Sequence, residues 1–382
     1  MNSSETMISS SPGPELWAWL RLTLEPGVGT VTAKQLLAAF GLPEHIFAAS
    51  YSQLMPVVGQ KLALQLSTDC APEIGALIER TFDWLAKPEH YIITLADAAY
   101  PASLLETHDP PVLLYVDGQL ESLAQTHKMA MVGARHATVM GESNARAFAK
   151  YLAQKGWCIV SGLALGIDAA SHEGALDSLC VGSTIAVMGT GINRLYPAQH
   201  KQLALRIKAQ GALISELPLD TSAKAFHFPQ RNRLVAGLSR GVLVVEAAKQ
   251  SGSLITARMA ADLGKEVFAI PGSIHSPLAH GCHALIRQGA KLVETGHDIL
   301  EELGYAQPQQ APVRPSTEIA GLTQAQQTVL DLMAYEAVSV AQLAQRLGQD
   351  SASLTAQLVS FELQGIVMRL ADGRYQRLAP KS

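Results

Sequence analysis

The segment KAFHFPQRNR, residues 224–233, concentrates aromatic and cationic side chains. Pro229 biases Phe228 away from the helical region, so the stretch before it is predicted to be extended. In an extended chain Phe226 and Phe228 point to one side, and Lys224 shares their parity. Two such ring faces can stack nucleobases. Arg231 and Arg233, flanking Asn232, can hold phosphates in charge-assisted pairs, which is the combination that single-strand binding requires. The plainer alternative places Phe228 in a core and leaves the arginines as surface charge.

Four short runs of small residues offer a second kind of chemistry: Gly133-Ala134, Ser161-Gly162, Gly189-Thr190-Gly191 and Ser251-Gly252-Ser253. Each follows an apolar run and precedes a helical pattern. Small residues let backbone N–H groups approach an anion, and a helix N-terminus adds partial positive charge. Several such loops together suit several phosphates, whereas any one of them is also explained by a tight turn between strand and helix. Arg135, directly after the first loop, can bring a guanidinium to the same crevice or form a structural salt bridge.

Other constellations are weaker. GTGINR supplies a GxG but puts Arg194 where a dinucleotide fingerprint has its third glycine, and no GxxxxGK[ST] occurs. GIDAASHEGAL places Asp168 and His172 one turn apart near Ser161 and Ser171, a superficial hydrolase set, but no GxSxG elbow accompanies it and Asp168 suits a helix start. His280, Cys282 and His283 crowd one helical turn, a poor arrangement for a metal. Neither metal nor cofactor is expected.

The elements that would position these residues follow from the apolar pattern. From Lys128 onward, KMAMVGA, WCIVSGL, STIAVMG, ALISEL, GVLVVEA, EVFAIPG and KLVE alternate with helical patterns. Continuous apolar runs suit strands buried on both faces of a parallel sheet. The prediction is an α/β, Rossmann-like, doubly wound and mostly parallel sheet over 89–303. Residues 1–88 read as helical, with PGVGTVTAKQLLAAFG resembling a helix-hairpin-helix turning at Gly27 and Gly29. A second unit follows at LMPVVGQKLALQL, where Val57 takes the first glycine position. A Pro- and Gln-rich linker is expected at 304–320. Residues 321–382 then give three helices and a hairpin turning at Asp372 and Gly373, the order of a winged helix. Its recognition helix, SASLTAQLVSFEL, has no Lys or Arg, so protein contact suits it better than base reading.

The net charge of −4 conceals an uneven distribution: −9 over 1–124, +5 over 125–302 and 0 over 303–382. A polyanion is therefore expected on the middle segment. The chain is 48% hydrophobic and 16% charged, with mean hydropathy +0.14, which excludes a largely disordered protein. With no apolar N-terminal run, no long uncharged span and four scattered cysteines, the reading is cytoplasmic, without a disulfide framework.

The ordered set VGARHATVMGESNARAFAKYLAQKGWCIVSGLALGIDAASHEGAL, GTGINRLYP, FPQRNRLVAGLS, VVEAAKQSGSLITARMA and VFAIPGSIHSPLAHGCHALIRQGAKLV resembles the DNA-processing protein A family, DprA or Smf, over about residues 90–300. The resemblance implies a non-enzymatic single-stranded DNA binder of natural transformation. It also implies protection of incoming DNA, loading of the RecA recombinase and a homodimer through the Rossmann domain. The family's GSR turn falls on Gly133, Ala134 and Arg135, with Ala134 in place of the usual serine and one hydroxyl donor fewer. Its FPxRNR segment falls on Phe228, Pro229, Arg231, Asn232 and Arg233. Its SGSLITAR loop falls on Ser251 to Arg258, including Thr256, as a phosphate site or a set of structural hydrogen bonds. The alternative from another class is a nucleotide phosphoribohydrolase of the lysine-decarboxylase-like group. Its PGGxGTxxE segment has no counterpart in VVEAAKQSGSLITA.

Overall fold

The computed structural model describes residues 13–305, 322–370 and 372–378. Most of the predicted linker lies outside them. Nine strands form one sheet: β1 His90–Thr94, β2 Leu113–Gly118, β3 Lys128–Val132, β4 Cys158–Ser161, β5 Thr184–Val187, β6 Ala212–Ser215, β7 Gly241–Val244, β8 Glu266–Ala269 and β9 Lys291–Leu292. Their spatial order is β1-β2-β6-β5-β4-β3-β7-β8-β9. The seven apolar runs from Lys128 onward are β3 to β9, all parallel to their neighbours in that group. β1 and β2 are additions that the pattern reading did not mark. β2 runs antiparallel to both β1 and β6.

Side chains alternate between two cores, as a period of two demands. Ile185 and Val187 of β5 join one apolar cluster while Ala186 joins the other, and β6 divides likewise between Ala212 with Ile214 and Leu213. Such two-sided burial is why these strands read as continuous apolar runs.

The N-terminal helices Pro14–Leu24, Thr30–Phe40, Pro43–Ala48, Tyr51–Leu66 and Pro72–Leu85 follow the helical reading. Three begin with Pro, whose missing N–H is harmless at the first position. Gly27 at φ +88° turns the chain between the first two, and Gly59 at φ +80° breaks the fourth. Gln65 donates to the Glu25 carboxylate at 2.6 Å and to the Pro26 carbonyl at 3.0 Å, so the first turn is tied down by an acidic neighbour. Leu16, Leu20, Leu36 and Ile78 belong to the same apolar cluster as Ile92, Leu113 and Tyr115 of β1 and β2. The head and the sheet thus share a core, and residue 88 marks a change of element type within one compact unit.

A second compact unit contains the C-terminal domain. Helices Gln324–Met333, Val340–Leu347 and Ser351–Leu363 precede β10 Val367–Arg369 and β11 Tyr375–Arg377, an antiparallel pair. Thr323 with Gln326 and Ser339 with Gln342 form reciprocal caps, which set where the first two helices start. Val329, Leu343, Leu354, Leu358 and Phe361 make its own core. The predicted winged-helix order is the observed one.

Candidate nucleic-acid interface

The chain leaves β3 toward β4 on one side and returns to place β7 on the other, so the strand order reverses at β3. Open α/β sheets form their crevice at such a point, beyond the carboxyl ends of the strands. There lies a cavity of about 330 Å³ lined by Gly133, Ala134, Arg135, Phe228, Arg231, Asn232, Ser251, Gly252, Ser253 and Thr256, with Asp168 at its floor. Ten of the expected site residues thus converge from three separate stretches of sequence.

Arg135 is exposed, and its guanidinium carbon lies 5.8 Å from the centre of the Phe228 ring. Near the same ring stands Tyr196, 52% exposed, with ring centres 5.4 Å apart. Tyr196 was not singled out from the sequence, although its place at the end of GTGINRLYP, just before Pro197, was a usable signal. The same cavity is lined by the start of the helix Ser253–Asp262, with the Ser251 and Ser253 hydroxyls 2.6 Å apart. Asn232 reaches the Gly252 carbonyl at 3.5 Å. The Thr256 hydroxyl is buried and has no hydrogen-bond partner among the described residues. A helix N-terminus flanked by hydroxyls is suited to an anion.

The expected extended segment is instead the start of the helix His227–Leu238, with Phe226 already at φ −76°, ψ −20°. Pro229 falls in the first turn, where its missing N–H has no intrahelical partner to lose. Phe226 and Phe228 therefore do not share a strand face. Phe228 is half-buried against Gly189, where a Cβ would come within 2.9 Å of its ring. Phe226 is 56% exposed, edge-on to His227, with the Lys224 ammonium 5.8 Å from its ring centre.

Arg231 and Arg233 also depart from the expectation of free phosphate holders. Arg231 is 5% exposed and donates to the carbonyls of Gly162, at 2.5 Å, and Val187. Asp168 is close enough for its charge to act on Arg231, and its carboxylate accepts the N–H groups of Gly162 at 3.1 Å and Ala164 at 3.3 Å. Burial pushes the Asp168 carboxyl above the ordinary carboxylate range, and the Arg231 charge pulls it back. Arg233 is bound by Glu216 and by Asp109 at 3.1 Å. Both guanidiniums thus serve first to hold the chain.

The remaining loop residues are explained by packing. Ser161 donates to the Met131 carbonyl at 2.6 Å, Thr190 donates to the Arg194 carbonyl, and a Cβ on Gly191 would strike the Pro218 carbonyl at 2.4 Å. Gly162 is the sharpest case, because a Cβ there would lie 2.2 Å from Arg231 Nη1. Gly162→Ala is expected to lower stability by about 1–3 kcal/mol through overpacking, read as a fall in Tm; an unchanged Tm would mean that Arg231 has a second seat. The hydrolase set dissolves as well. Ser171 donates to Ile167, and His172 is fully buried on Thr184 with its pKa pushed down to about 3 by desolvation. Among the described residues no cluster suits a metal ion.

The comparisons with known proteins agree with this architecture. The family described as DNA recombination-mediator protein A matches residues 91–304, and the DprA winged helix domain matches 311–373. Protein Smf of Escherichia coli is 41% identical over 308 residues, covering 79% of this chain and 81% of that protein. The chain belongs to the DprA/Smf family. The X-ray structure of DNA processing protein A from Streptococcus pneumoniae superposes with TM-score 0.58 at 36% identity, covering 74% of this chain and 95% of that one. DNA processing protein A from Helicobacter pylori, whose structure concerns a single-stranded DNA binding mode, gives TM-score 0.51 at 30% identity, covering 56% and 95%. DprA/Smf is thus a DNA-processing, recombination-mediator family. Among the described residues no helix is long and apolar enough to cross a membrane.

Proposed function

We propose that this protein binds single-stranded DNA in the switch-point crevice, protects strands taken up in natural transformation and loads the RecA recombinase onto them. It acts in the cytoplasm as a homodimer through the Rossmann domain, without catalytic turnover. The observation that carries the reading is the exposed Arg135 beside Phe228, whose ring also lies near Tyr196, in one cavity with a hydroxyl-bearing helix N-terminus. A ring face for a base and donors for the adjacent phosphates are what sequence-tolerant strand binding needs. The +5 charge of the middle segment and the single-stranded DNA bound by the Helicobacter relative support it. Gly133, Ala134, Arg135, Phe228, Asn232, Ser251, Gly252, Ser253 and Thr256 form the contact set, with Tyr196 added and Lys224 and Phe226 as an exposed extension.

The test is fluorescence anisotropy of labelled oligo-dT against a duplex of equal length, across a salt series. The single strand is expected to bind more tightly, with log K falling against log salt at roughly −0.7 per neutralised phosphate. Absence of binding at low salt would reject the reading and move a smaller anion, such as a nucleotide, into the crevice.

A further inference from the structure

A second cavity, of about 730 Å³, lies at the opposite end of the sheet, by the amino ends of β3 and β7. It shares no lining residue with the switch-point crevice. Pro101, Ala102, Leu120, Leu123 and Leu238 make its walls apolar, and its volume falls within the roughly 300–1,000 Å³ of small-molecule sites. Two cations enter it, Lys128 and Arg240. We propose that this cavity binds a small amphipathic anion, one acidic group carried on an apolar body.

Lys128 is 5% exposed, and its ammonium donates to the Gln125 carbonyl. An ammonium has three donors, so one carbonyl leaves it under-satisfied. Among the described residues neither Lys128 nor Arg240 sits in a salt bridge. The neighbouring Cys158 offers no countercharge, because burial pushes its thiol up to about 12. Burial also pushes the Lys128 ammonium below its ordinary value, the signature of a desolvated cation lacking a partner. Arg240 donates to His127 Nδ1 at 3.0 Å. Burial and the two adjacent cations hold the His127 pKa down, so the ring stays neutral and can accept that bond near pH 7. The lining holds one carboxylate, Glu121, which is exposed at the rim. The cavity therefore carries a net positive charge inside an apolar wall. A buried cation without a countercharge is costly, and an anion whose body fills the apolar volume removes that cost. Nucleic acid does not fit this chemistry: the cavity's aromatic ring, Tyr100, is buried and spends its hydroxyl on the Pro111 carbonyl at 2.8 Å.

The probe is 8-anilinonaphthalene-1-sulfonate, titrated into the full-length protein and followed by its fluorescence. One saturable site is expected. Arg240→Gln should weaken it at least fivefold, and Ala102→Trp, which fills the volume from an exposed position, should abolish it. N-phenyl-1-naphthylamine, the same rings without the charge, should bind at least fivefold more weakly than the sulfonate. Saturating oligo-dT should leave the probe in place, so failure of the DNA reading and failure of this one are separately visible. Equal affinity in the Arg240→Gln variant, equal affinity of the neutral compound, or displacement by oligo-dT overturns the proposal. Should Ala102→Trp lose its circular dichroism signature, the charge variant alone decides.

Discussion

Arg231→Ala is expected to destabilise the protein by about 2–6 kcal/mol, because it leaves two buried carbonyls unsatisfied at about 1–3 kcal/mol each. The guanidinium closes three structures at once. It satisfies the carbonyls of Gly162, after β4, and Val187, at the end of β5, and it opposes the charge of Asp168 in the helix Ile167–Leu176. Alanine would leave two carbonyls without their donor and a nearly buried carboxylate without its neighbouring positive charge. The pH dependence has a definite sign. The folded pKa of Asp168 lies above its unfolded value, so ionising it costs stability as pH rises from about 4 through the folded pKa. Without Arg231 that pKa rises further and the cost grows. The gap between parent and variant should therefore be widest near neutral pH and narrow on acidification. Urea denaturation at several pH values measures it. A midpoint unchanged at pH 7 would mean that Arg231 is free to serve DNA, as the sequence suggested. An Arg231→Met, Asp168→Asn pair, which removes both charges, should recover part of the loss.

That revision marks the boundary of what the sequence discloses. Arg231 and Arg233 are the same residue type two positions apart, and nothing local distinguishes them from Arg135. Their fates are set by Asp168, Glu216 and Asp109, which lie 17 to 124 positions away and meet them only through the fold. The strands β3 to β9 were legible because two-sided burial writes itself as unbroken apolar runs. Their carboxyl-end loops then placed the crevice. HYIIT and LLYVDG were as apolar, yet without a repeated strand-helix rhythm around them they did not stand out as β1 and β2. Phe228 failed for a different reason. The rule that a residue before proline avoids the helical region is a bias, and at a helix start the tolerance for proline in the first turn prevailed. By sequence alone the loop glycines suit openings for anions. At Gly162, Gly189 and Gly191 they are spaces for Arg231, Phe228 and the Pro218 carbonyl.

Arg135 and Phe228 remain the pair on which DNA affinity should depend most. Phe228→Ala is expected to weaken oligo-dT binding by about 5- to 150-fold, the loss of one base–aromatic stack at about 1–3 kcal/mol. Arg135→Ala should cost about tenfold at low salt and make the salt slope shallower by about 0.7, one phosphate contact. Its exposure lets this variant keep the parent's urea midpoint, unlike Arg231→Ala. The guanidinium and the ring are close enough to act on one stacked base, so the double variant should lose less than the sum of the two. Folded single variants that bind with parental affinity and slope would move the strand off this crevice. Additive losses would instead place base and phosphate at separate positions, with Arg135 a point of charge and Phe228 the platform. The Arg135→Lys variant separates these arrangements further. Lysine keeps the charge but lacks the planar group that can lie against a ring, so recovery of the slope without recovery of affinity assigns the planar guanidinium its own share of the binding.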